Sequence, residues 1–344
     1  MKKIRLAHFG IAHDHSIYAM ECVRQYPDVF EIVGICEPDE AMREEFGSHP
    51  IYDGIPWITE EELLSRDDID AVLCEGHELR SVSDAQKCID RGLHVHLDKP
   101  GGVDLEAFGK LLKSADDKGL TLHMGYMYRY NPAFKYVLNS VKSGKIGQIT
   151  GIDASFSTQH NPVKRRWLKQ FPGGMMFFLG CHLIDMIVQI QGVPEEIIPL
   201  NMTTGFDGVT GNDYGMAVFK YPNGISFAKT CAAEPGGFRR RQLVICGEKG
   251  TIEIKPFEKY IEADGSDQNQ VTGVVEAYAD DCWKNGWNYT GDYYESEPFN
   301  RYDDMMADFA AVVRGDKAND YSYEYELRLH RILLAACGFD VDYK

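Results

Sequence analysis

The chain has 344 residues, of which 44% are hydrophobic and 26% charged, and its formal net charge is −17. This length suits two domains of about 100 to 200 residues each, and no apolar run approaches the roughly 20 residues needed to cross a bilayer. The acidic excess repels phosphate backbones and anionic lipid, so neither nucleic acid nor a membrane is expected as a partner.

The amino terminus, Met1 to His8, lacks the extended apolar segment and the small-residue cleavage site of a signal peptide. Nine cysteines are scattered without any Cys-x-x-Cys pair, and several lie in apolar stretches. Together these features predict a cytoplasmic protein whose cysteines are buried free thiols.

Strands and helices alternate from the amino terminus to about residue 123. The predicted strands are Lys3–Phe9, Glu31–Cys36, Ala71–Cys74, His94–Leu97 and Leu120–Met124. The predicted helices are Ile17–Tyr26, Glu40–Phe46, Glu60–Ser65, Ser81–Arg91 and Leu105–Lys118. The alternation predicts an α/β fold with a parallel sheet and right-handed crossovers, a Rossmann dinucleotide-binding domain over residues 1–123.

The pattern changes after this domain. Helix Pro132–Ser143 and strand Ile149–Ser157 precede an irregular basic stretch through Lys164–Trp167 and a long apolar helix, Gly174–Ile190. Next come predicted strands Met216–Lys220, Ile225–Thr230, Gln242–Cys246 and Thr251–Ile254, an exposed loop Ala263–Gly273, and closing helices Tyr302–Arg314 and Tyr323–Cys337. Turn sequences between these strands predict an α+β domain over residues 124–344, built on a large, mostly antiparallel open sheet. The closing helices are candidates for packing back on the first domain.

The loop after the first strand is the candidate nucleotide loop. A Rossmann domain needs glycine there so that backbone amides and the next helix can approach a pyrophosphate. Gly10, Ala12 and His15 occupy the three positions of G-x-G-x-x-G, so only the first glycine is present. We predict that these three residues and His13 bind the cofactor; a turn with Ser16 as a helix cap is the alternative.

An acidic residue follows the second strand. Glu37 lies at the position where a carboxylate accepts hydrogen bonds from the adenosine ribose and repels a 2′-phosphate. It predicts NAD as the cofactor and makes NADP the second choice. The alternative is a carboxylate in an ordinary turn.

A lysine follows the strand His94–Leu97. Ligands of open α/β sheets gather beyond the carboxyl ends of the strands, so Lys99 is predicted to project toward them. Its ammonium would hydrogen-bond a substrate oxygen and stabilise negative charge as a hydroxyl becomes a carbonyl. A Lys-Pro surface turn is the alternative.

The segment Asp98-Lys99-Pro100 resembles the Glu-Lys-Pro motif at the end of the fifth strand in the Gfo/Idh/MocA oxidoreductases. The resemblance covers nearly the whole chain. Similar segments are Ile69–Val72 (the family's fourth strand), Tyr128–Pro132 (its Arg-Phe-Asn-Pro segment), Gly144–Ile149 (its linker) and Gly247–Thr251 (a late hairpin). It implies an oxidoreductase in which Asp98 and Lys99 lie at the cofactor.

The segment Gly173–Asp185 is similar to the family's Gly-Gly and Asp-x-Gly-x-His-x-x-Asp signature. On one continuous helix Phe178, His182 and Asp185 would share a face. The resemblance implies that His182 accepts the substrate hydroxyl proton while hydride leaves the same carbon for nicotinamide. Asp185 would orient the imidazole or bind a substrate hydroxyl. Phe178 replaces an aspartate and either stacks on a sugar ring or packs in the core, and a buried core histidine is the alternative for His182.

Further residues are expected around the cleft. Glu75 and His77, where relatives commonly read Thr-Pro-Asn-x-x-His, would lie near the nicotinamide ribose. Tyr128, Arg129 and Trp167 are expected at the substrate pocket, with a solvated surface or subunit contact as the alternative for Arg129 and Trp167. The cleft is rich in histidine, yet no pair has a metal-binding spacing such as H-E-x-x-H, so no metal is predicted.

These features predict an NAD-dependent oxidoreductase acting on a secondary alcohol of a sugar, inositol or related polyol. One alternative is an enzyme that retains NAD and cleaves or epimerises glycosides through transient oxidation. The other is a non-catalytic ligand sensor. The resemblance also implies a homodimer or homotetramer formed through the face of the second sheet.

Overall fold

The structure is a computed structural model that describes residues 2–261, 270–279 and 291–344. The chain folds into two compact units. The first comprises Met1–Met127 and Tyr302–His330, and the second comprises Tyr128–Arg301 and Arg331–Lys344. The boundary therefore follows Met127 rather than residue 123, and the first closing helix is part of the first unit.

A parallel sheet forms the centre of the first unit. Its strands are β1 (Ile4–Phe9), β2 (Phe30–Cys36), β3 (Ala71–Cys74), β4 (His94–Leu97) and β5 (Leu122–Met124). They are ordered β2-β1-β3-β4-β5, and all neighbours run parallel. The strand order reverses between β1 and β3, and open α/β sheets bind ligands beyond the carboxyl ends of the strands at such a point. This confirms the predicted α/β fold, although the strands before Glu75 and Asp98 are third and fourth along this chain.

Helices of the first unit begin and end at recognisable signals. They are α1 (Ser16–Gln25), α2 (Glu40–Phe46), α3 (Glu60–Ser65), α4 (Ser81–Arg91) and α5 (Leu105–Asp117). Thr59 and Glu62 form a reciprocal capping box at the start of α3, and Gly92 ends α4 in the left-handed conformation. These caps explain why the boundaries of α3 and α4 could be predicted from the sequence.

The second unit is built on an open sheet. Its strands are β6 (Ile149–Ser157), β7 (Glu196–Pro199), β8 (Tyr214–Tyr221), β9 (Gly224–Cys231), β10 (Gln242–Gly247), β11 (Gly250–Ile254), β12 (Lys259–Tyr260), β13 (Gln270–Thr272), β14 (Val274–Tyr278), β15 (Gly291–Glu295) and β16 (Phe299–Asn300). Eight strands follow the order β15-β14-β11-β10-β6-β9-β8-β7, and β12-β13-β16 form a separate small sheet. Among the described pairs of the large sheet, β6 and β9 run parallel and the others antiparallel. The predicted mostly antiparallel sheet is confirmed.

Short helices connect this sheet. They are α6 (Pro132–Lys142), α7 (Pro162–Trp167) and α8 (Cys181–Gln191), followed by the closing helices α9 (Asp303–Val313) and α10 (Tyr323–Ala336). Each of α6 and α7 begins with a capping asparagine and a proline. The prediction of an irregular stretch through Lys164–Trp167 was wrong, because Asn161 and Pro162 start a helix there.

Two other predictions need correction. The segment predicted as one helix from Gly174 begins with a π-helical turn, Met176–Gly180, before α8. Gly174 has a φ of +53°, and a side chain there would meet the Asn212 carbonyl oxygen, so the helix cannot extend back through it. The predicted loop Ala263–Gly273 contains strand β13, and its residues 263–269 lie outside the described part of the chain.

Two sequence-based expectations concern the chain as a whole. Across the described ranges, no helix combines the length and apolar character required to span a bilayer. The cysteines within these ranges are free thiols, and all except Cys246 are buried, as predicted. Cys282 lies outside the described residues.

Candidate active site

The carboxyl edge of the parallel sheet collects the predicted site residues of the first unit. Gly10 follows β1, Glu37 follows β2, Glu75 follows β3, and Asp98 and Lys99 follow β4. Because parallel strands end at the same edge of a sheet, residues distant in sequence meet there. The structure brings this predicted set together.

The loop after β1 has the geometry of a dinucleotide-binding turn. Gly10 has a φ of +81°, and a Cβ added there would lie 2.3 Å from Cα of Gly76, so only glycine fits. Helix α1 begins at Ser16, and no side chain of the described residues caps its amino terminus. Uncapped first-turn amides and the helix dipole suit a phosphate. The described residues of this loop therefore fit a dinucleotide, although half-buried Ala12 replaces a glycine.

Glu37 is engaged with backbone amides. Its carboxylate accepts a hydrogen bond from the Ile11 amide at 2.8 Å and one from the Asp39 amide at 3.0 Å. The Arg80 guanidinium lies 4.0 Å away. Glu37 thus fixes a negative charge beside the nucleotide loop, at the position predicted for an adenosine-ribose ligand.

His13 and His15 converge on Asp98. Their Nδ1 atoms lie 3.1 and 2.8 Å from the same Asp98 oxygen, Oδ2. Burial raises the pKa of Asp98, but the facing His13 and His15 outweigh it, so the pKa is held well below its usual range. For His15, burial dominates and lowers the pKa to about 4. The two histidines predicted at the cofactor therefore contact the motif at the end of β4.

Glu75 is buried inside the same region. Its oxygens lie 3.9 Å from His13 Nδ1 and 3.8 Å from His96 Nε2. Burial and the neighbouring Asp98 carboxylate raise the pKa of Glu75 well above its usual range. His77, predicted beside it, is half-buried, and its Nδ1 accepts a hydrogen bond from the Leu79 amide at 3.2 Å.

Lys99 is a buried cation. Its side chain is among the largest fully buried ones, and the residue is 2% exposed. An ammonium is seldom removed from water unless charges nearby compensate it. Its charge acts on His13, His15 and Glu75. The surface-turn alternative is therefore wrong, and Lys99 belongs to the cluster at the sheet edge.

His182 lies in the second unit, in the first turn of α8, and is 2% exposed. The Tyr128 ring meets its imidazole edge to face, with centroids 4.7 Å apart. The Tyr128 hydroxyl accepts a hydrogen bond from Arg241 at 2.9 Å. Burial raises the pKa of Tyr128 to about 12, so its phenol stays protonated at neutral pH.

Asp185 and Arg129 form a buried bidentate ion pair. Arg129 donates from Nε and Nη2 to the two Asp185 oxygens, each at 2.9 Å, and Gln189 adds a further hydrogen bond of 2.9 Å. Both charged residues are buried. Arg129 is therefore not on a solvated surface, and the primary partner of Asp185 is a guanidinium that no sequence pattern predicted.

Trp167 and Phe178 meet in a cluster with a cation. Their rings pack edge to face at 5.4 Å, and the Lys164 ammonium lies 3.6 Å from the Trp167 centroid and 4.6 Å from that of Phe178. Two predicted substrate residues are thus brought together. Phe178 lies in the π-helical turn, so it does not share one regular α-helical face with His182.

Several polar contacts of these sites were not predicted from the sequence. Glu78 lies 3.5 Å from His13 Nε2, and the Nδ1 atoms of His96 and His123 are 2.8 Å apart. In the second unit, Arg165 is buried in an ion pair with Asp213. A buried charge in a polar stretch has no sequence signature when its partner is distant, so none of these contacts could be predicted.

Comparison with known proteins agrees with this arrangement. A family described as "Oxidoreductase family, NAD-binding Rossmann fold" matches residues 9–126, and "GFO/IDH/MocA C-terminal domain" matches residues 134–253. The fold and site thus define a two-domain oxidoreductase with a Rossmann domain that binds NAD(P). The chain belongs to the Gfo/Idh/MocA family.

Individual relatives include sugar and inositol dehydrogenases. The chain is 27% identical to scyllo-inositol 2-dehydrogenase (NADP(+)) of Bacillus subtilis over 32% of this chain and 31% of the relative. It is 26% identical to D-xylose 1-dehydrogenase (NADP(+)) 2 of Haloferax volcanii over 54% of this chain and 58% of the relative. The chain spans from about a third to about three fifths of the lengths of these curated relatives.

A solved structure supports the fold over the full chain. A 3-ketoreductase from Actinomadura kijaniata, in complex with TDP-benzene and NADP, superposes with a TM-score of 0.75 at 19% identity. The match covers 97% of this chain and 96% of the other.

Proposed function

We propose that this protein is an NAD-dependent oxidoreductase that oxidises a secondary alcohol of a sugar, inositol or related polyol. The observation that carries the proposal is the buried ammonium of Lys99 at the carboxyl end of β4. A cation in this environment stabilises negative charge on a substrate oxygen far better than one in water. The inositol and xylose dehydrogenases among the relatives support the substrate class.

His182 is proposed as the general base. A neutral imidazole accepts a proton near pH 7, and its packing against Tyr128 limits the orientations of the ring. When bound, nicotinamide accepts the hydride from the carbon that bears the hydroxyl. The substrate thus loses its hydroxyl proton to His182 and its hydride to the cofactor, while Lys99 hydrogen-bonds the oxygen.

The remaining second-unit residues receive revised roles. Because both Asp185 oxygens bind Arg129, we assign this pair to positioning α8 beneath His182 rather than to contacting substrate. Trp167 is proposed to stack on the apolar face of a sugar ring, and Phe178, which is 6% exposed, to pack against Trp167 in the core.

The preference for NAD over NADP rests on Glu37. Its carboxylate, fixed by the Ile11 amide, would repel a 2′-phosphate. The relatives named above use NADP. The ratio of kcat/KM for the two coenzymes tests the choice. We expect it to favour NAD in the native protein and to fall in Glu37→Gln, whereas preference for NADP in the native protein would contradict it.

The activity is tested by following NADH formation with a panel of polyols and sugars. Lys99→Met and His182→Ala are expected to abolish turnover. Lys113→Met and His49→Ala, which change exposed residues on the surface of the first unit, are the matched controls. Unchanged turnover in both site variants would refute the proposed pair.

The two alternatives predict different results. Cleavage of a glycoside without accumulation of NADH would support the enzyme that oxidises its substrate only transiently. If calorimetry detected no binding of NAD or NADP, the result would support the non-catalytic ligand sensor.

We further propose that the chain forms a homodimer or homotetramer through the large sheet. Exposed apolar side chains lie on or just after the edge strand β7, at Ile198, Leu200 and Met202, and Ile225 is exposed on the interior strand β9. Light scattering after size-exclusion chromatography tests this, and a monomer at all concentrations would exclude it.

A further inference from the structure

Three side chains that the proposed chemistry does not use as acid or base converge at the nucleotide loop. His13 and His15 follow β1, and Asp98 follows β4. One potential ligand atom from each lies within 4.8 Å of the other two. His13 and Asp98 are each 4% exposed, and the side chain of His15 is 16% exposed, so two of the three residues are removed from water and the third reaches it.

The separations match those between ligands of one metal ion. Nitrogen and oxygen ligands bind Zn²⁺ at about 2.0 to 2.2 Å, so two ligands are about 3.0 Å apart at a right angle and about 3.4 Å apart at the tetrahedral angle that zinc usually adopts. The His13 Nδ1 and His15 Nδ1 atoms lie 3.1 and 2.8 Å from Asp98 Oδ2. A small adjustment of the side chains would place all three atoms around one ion.

The hydrogen-bond pattern leaves acceptors facing each other. The backbone amide of His15 donates to His13 Nδ1 at 3.1 Å, so the one lone pair of this nitrogen accepts that hydrogen bond, which a metal ion would have to replace. The same nitrogen faces an oxygen of Asp98. Two acceptors repel each other unless a proton or a metal cation lies between them. The proton would make His13 an imidazolium paired with Asp98, which is the rival explanation.

The surroundings favour a cation beside His13, whether a metal ion or the imidazolium itself. Glu78 Oε1 lies 3.5 Å from His13 Nε2, and a carboxylate beside the second ring nitrogen is the usual outer partner of a metal-bound histidine. Glu75, 1% exposed, lies 3.9 Å from His13 Nδ1. Asp98, Glu75 and Glu78 thus place three buried carboxyl groups beside His13.

We propose that His13, His15 and Asp98 bind a divalent transition-metal ion of the zinc class, with Glu78 holding the His13 ring. Two imidazoles and one carboxylate suit Zn²⁺, Mn²⁺ or Fe²⁺ better than Mg²⁺ or Ca²⁺, which prefer oxygen ligands alone. Three protein ligands leave coordination positions open for an oxygen ligand. This site goes beyond the proposed oxidoreductase, none of whose steps requires a metal.

The test is calorimetric titration of ZnCl₂ into the full chain after treatment with a chelator, with no dinucleotide present. We expect one zinc ion per chain. Glu78→Gln should weaken binding by roughly 10- to 100-fold, as loss of an outer partner does, and His15→Ala and Asp98→Asn should weaken it further. His49→Ala, which removes an exposed histidine, should leave the affinity unchanged.

Zinc should also raise the melting temperature of the native chain and not that of Asp98→Asn, provided circular dichroism shows that this variant is folded. If it is not, Glu78→Gln and His15→Ala decide the matter by affinity alone. Absence of zinc binding to the native chain, equal affinity in all variants, or displacement of zinc by excess Mg²⁺ would overturn the proposal. NAD binding to the metal-free chain is measured separately, so failure of the oxidoreductase proposal is distinguishable.

Discussion

The Arg129–Asp185 pair gives the sharpest test of the second unit. Asp185→Asn keeps the shape of the side chain but removes the charge that compensates a guanidinium 4% exposed. Two charge-assisted hydrogen bonds of 2.9 Å lose their anionic acceptor. Removing one partner of a buried ion pair lowers the free energy of unfolding by about 3 to 5 kcal/mol. Because the asparagine amide oxygen still accepts one hydrogen bond from Arg129, we expect a loss of about 3 kcal/mol.

For a domain of 150 to 250 residues, about 3 kcal/mol corresponds to a fall of roughly 6 to 12 °C in melting temperature. Thermal unfolding followed by circular dichroism measures it. Asp117→Asn, which removes a carboxylate from the exposed pair with Lys113, is the matched control and should change stability by less than about 0.5 kcal/mol.

The double variant Arg129→Met with Asp185→Leu should recover most of the loss, because an apolar pair leaves no buried charge. A loss in Asp185→Asn no greater than in the control would refute the reasoning. If Asp185→Asn were as stable as the native chain yet inactive, the residue would have the catalytic role first predicted for it.

Three other results are expected. Gly10→Ala should destabilise the chain by about 1 to 3 kcal/mol more than Gly54→Ala. Both glycines have positive φ, but only at Gly10 would the added methyl group overlap neighbouring backbone. Equal melting temperatures of the two variants would contradict this. Burial lowers the pKa of His330 to about 4, so the unfolded chain takes up this proton at a higher pH than the native chain does. The free energy of unfolding should therefore fall by on the order of 3 kcal/mol as the pH drops from about 6.5 toward 4. Urea unfolding across this range should show a weaker dependence of the unfolding free energy on pH in His330→Leu. Tyr128→Phe should lower the free energy of unfolding by about 1.5 to 3 kcal/mol, because it removes the hydroxyl that accepts a hydrogen bond from buried Arg241. Urea unfolding measures this change, and an unchanged free energy would mean that water replaces the hydroxyl.

Local signals explain how much of the fold could be predicted. The ends of α3 and α4 are set by Thr59 and Gly92, so the sequence located these helices residue by residue. Strands β12 to β16 were not predicted. β12, β13 and β16 have only two or three residues, which carry no periodicity, and β14 and β15, with five residues each, were also missed. The π-helical turn was missed for a different reason. The apolar pattern continues through it, and only the close approach of Asn212 to Gly174 prevents a longer helix.

The candidate site divides in the same way. Gly10, Glu37 and Lys99 could be placed at the sheet edge because each lies within two residues of the end of a strand. Their partners could not be predicted. The contact of His15 with Asp98 joins positions 83 apart in sequence, and the Arg129–Asp185 pair joins positions 56 apart. Such contacts depend on the packed fold rather than on spacing.

The discontinuity of the first unit limits how the gene can be divided. Phe309 of α9 packs against His96 and His123 of the parallel sheet, with ring centroids 5.6 and 5.5 Å apart. A fragment ending at Met127 would leave these two imidazoles without their aromatic cover. An isolated Rossmann domain therefore requires Tyr302–His330 to be joined back to the end of the first segment, for example by a flexible peptide in a rearranged gene. Simple truncation should yield an insoluble product.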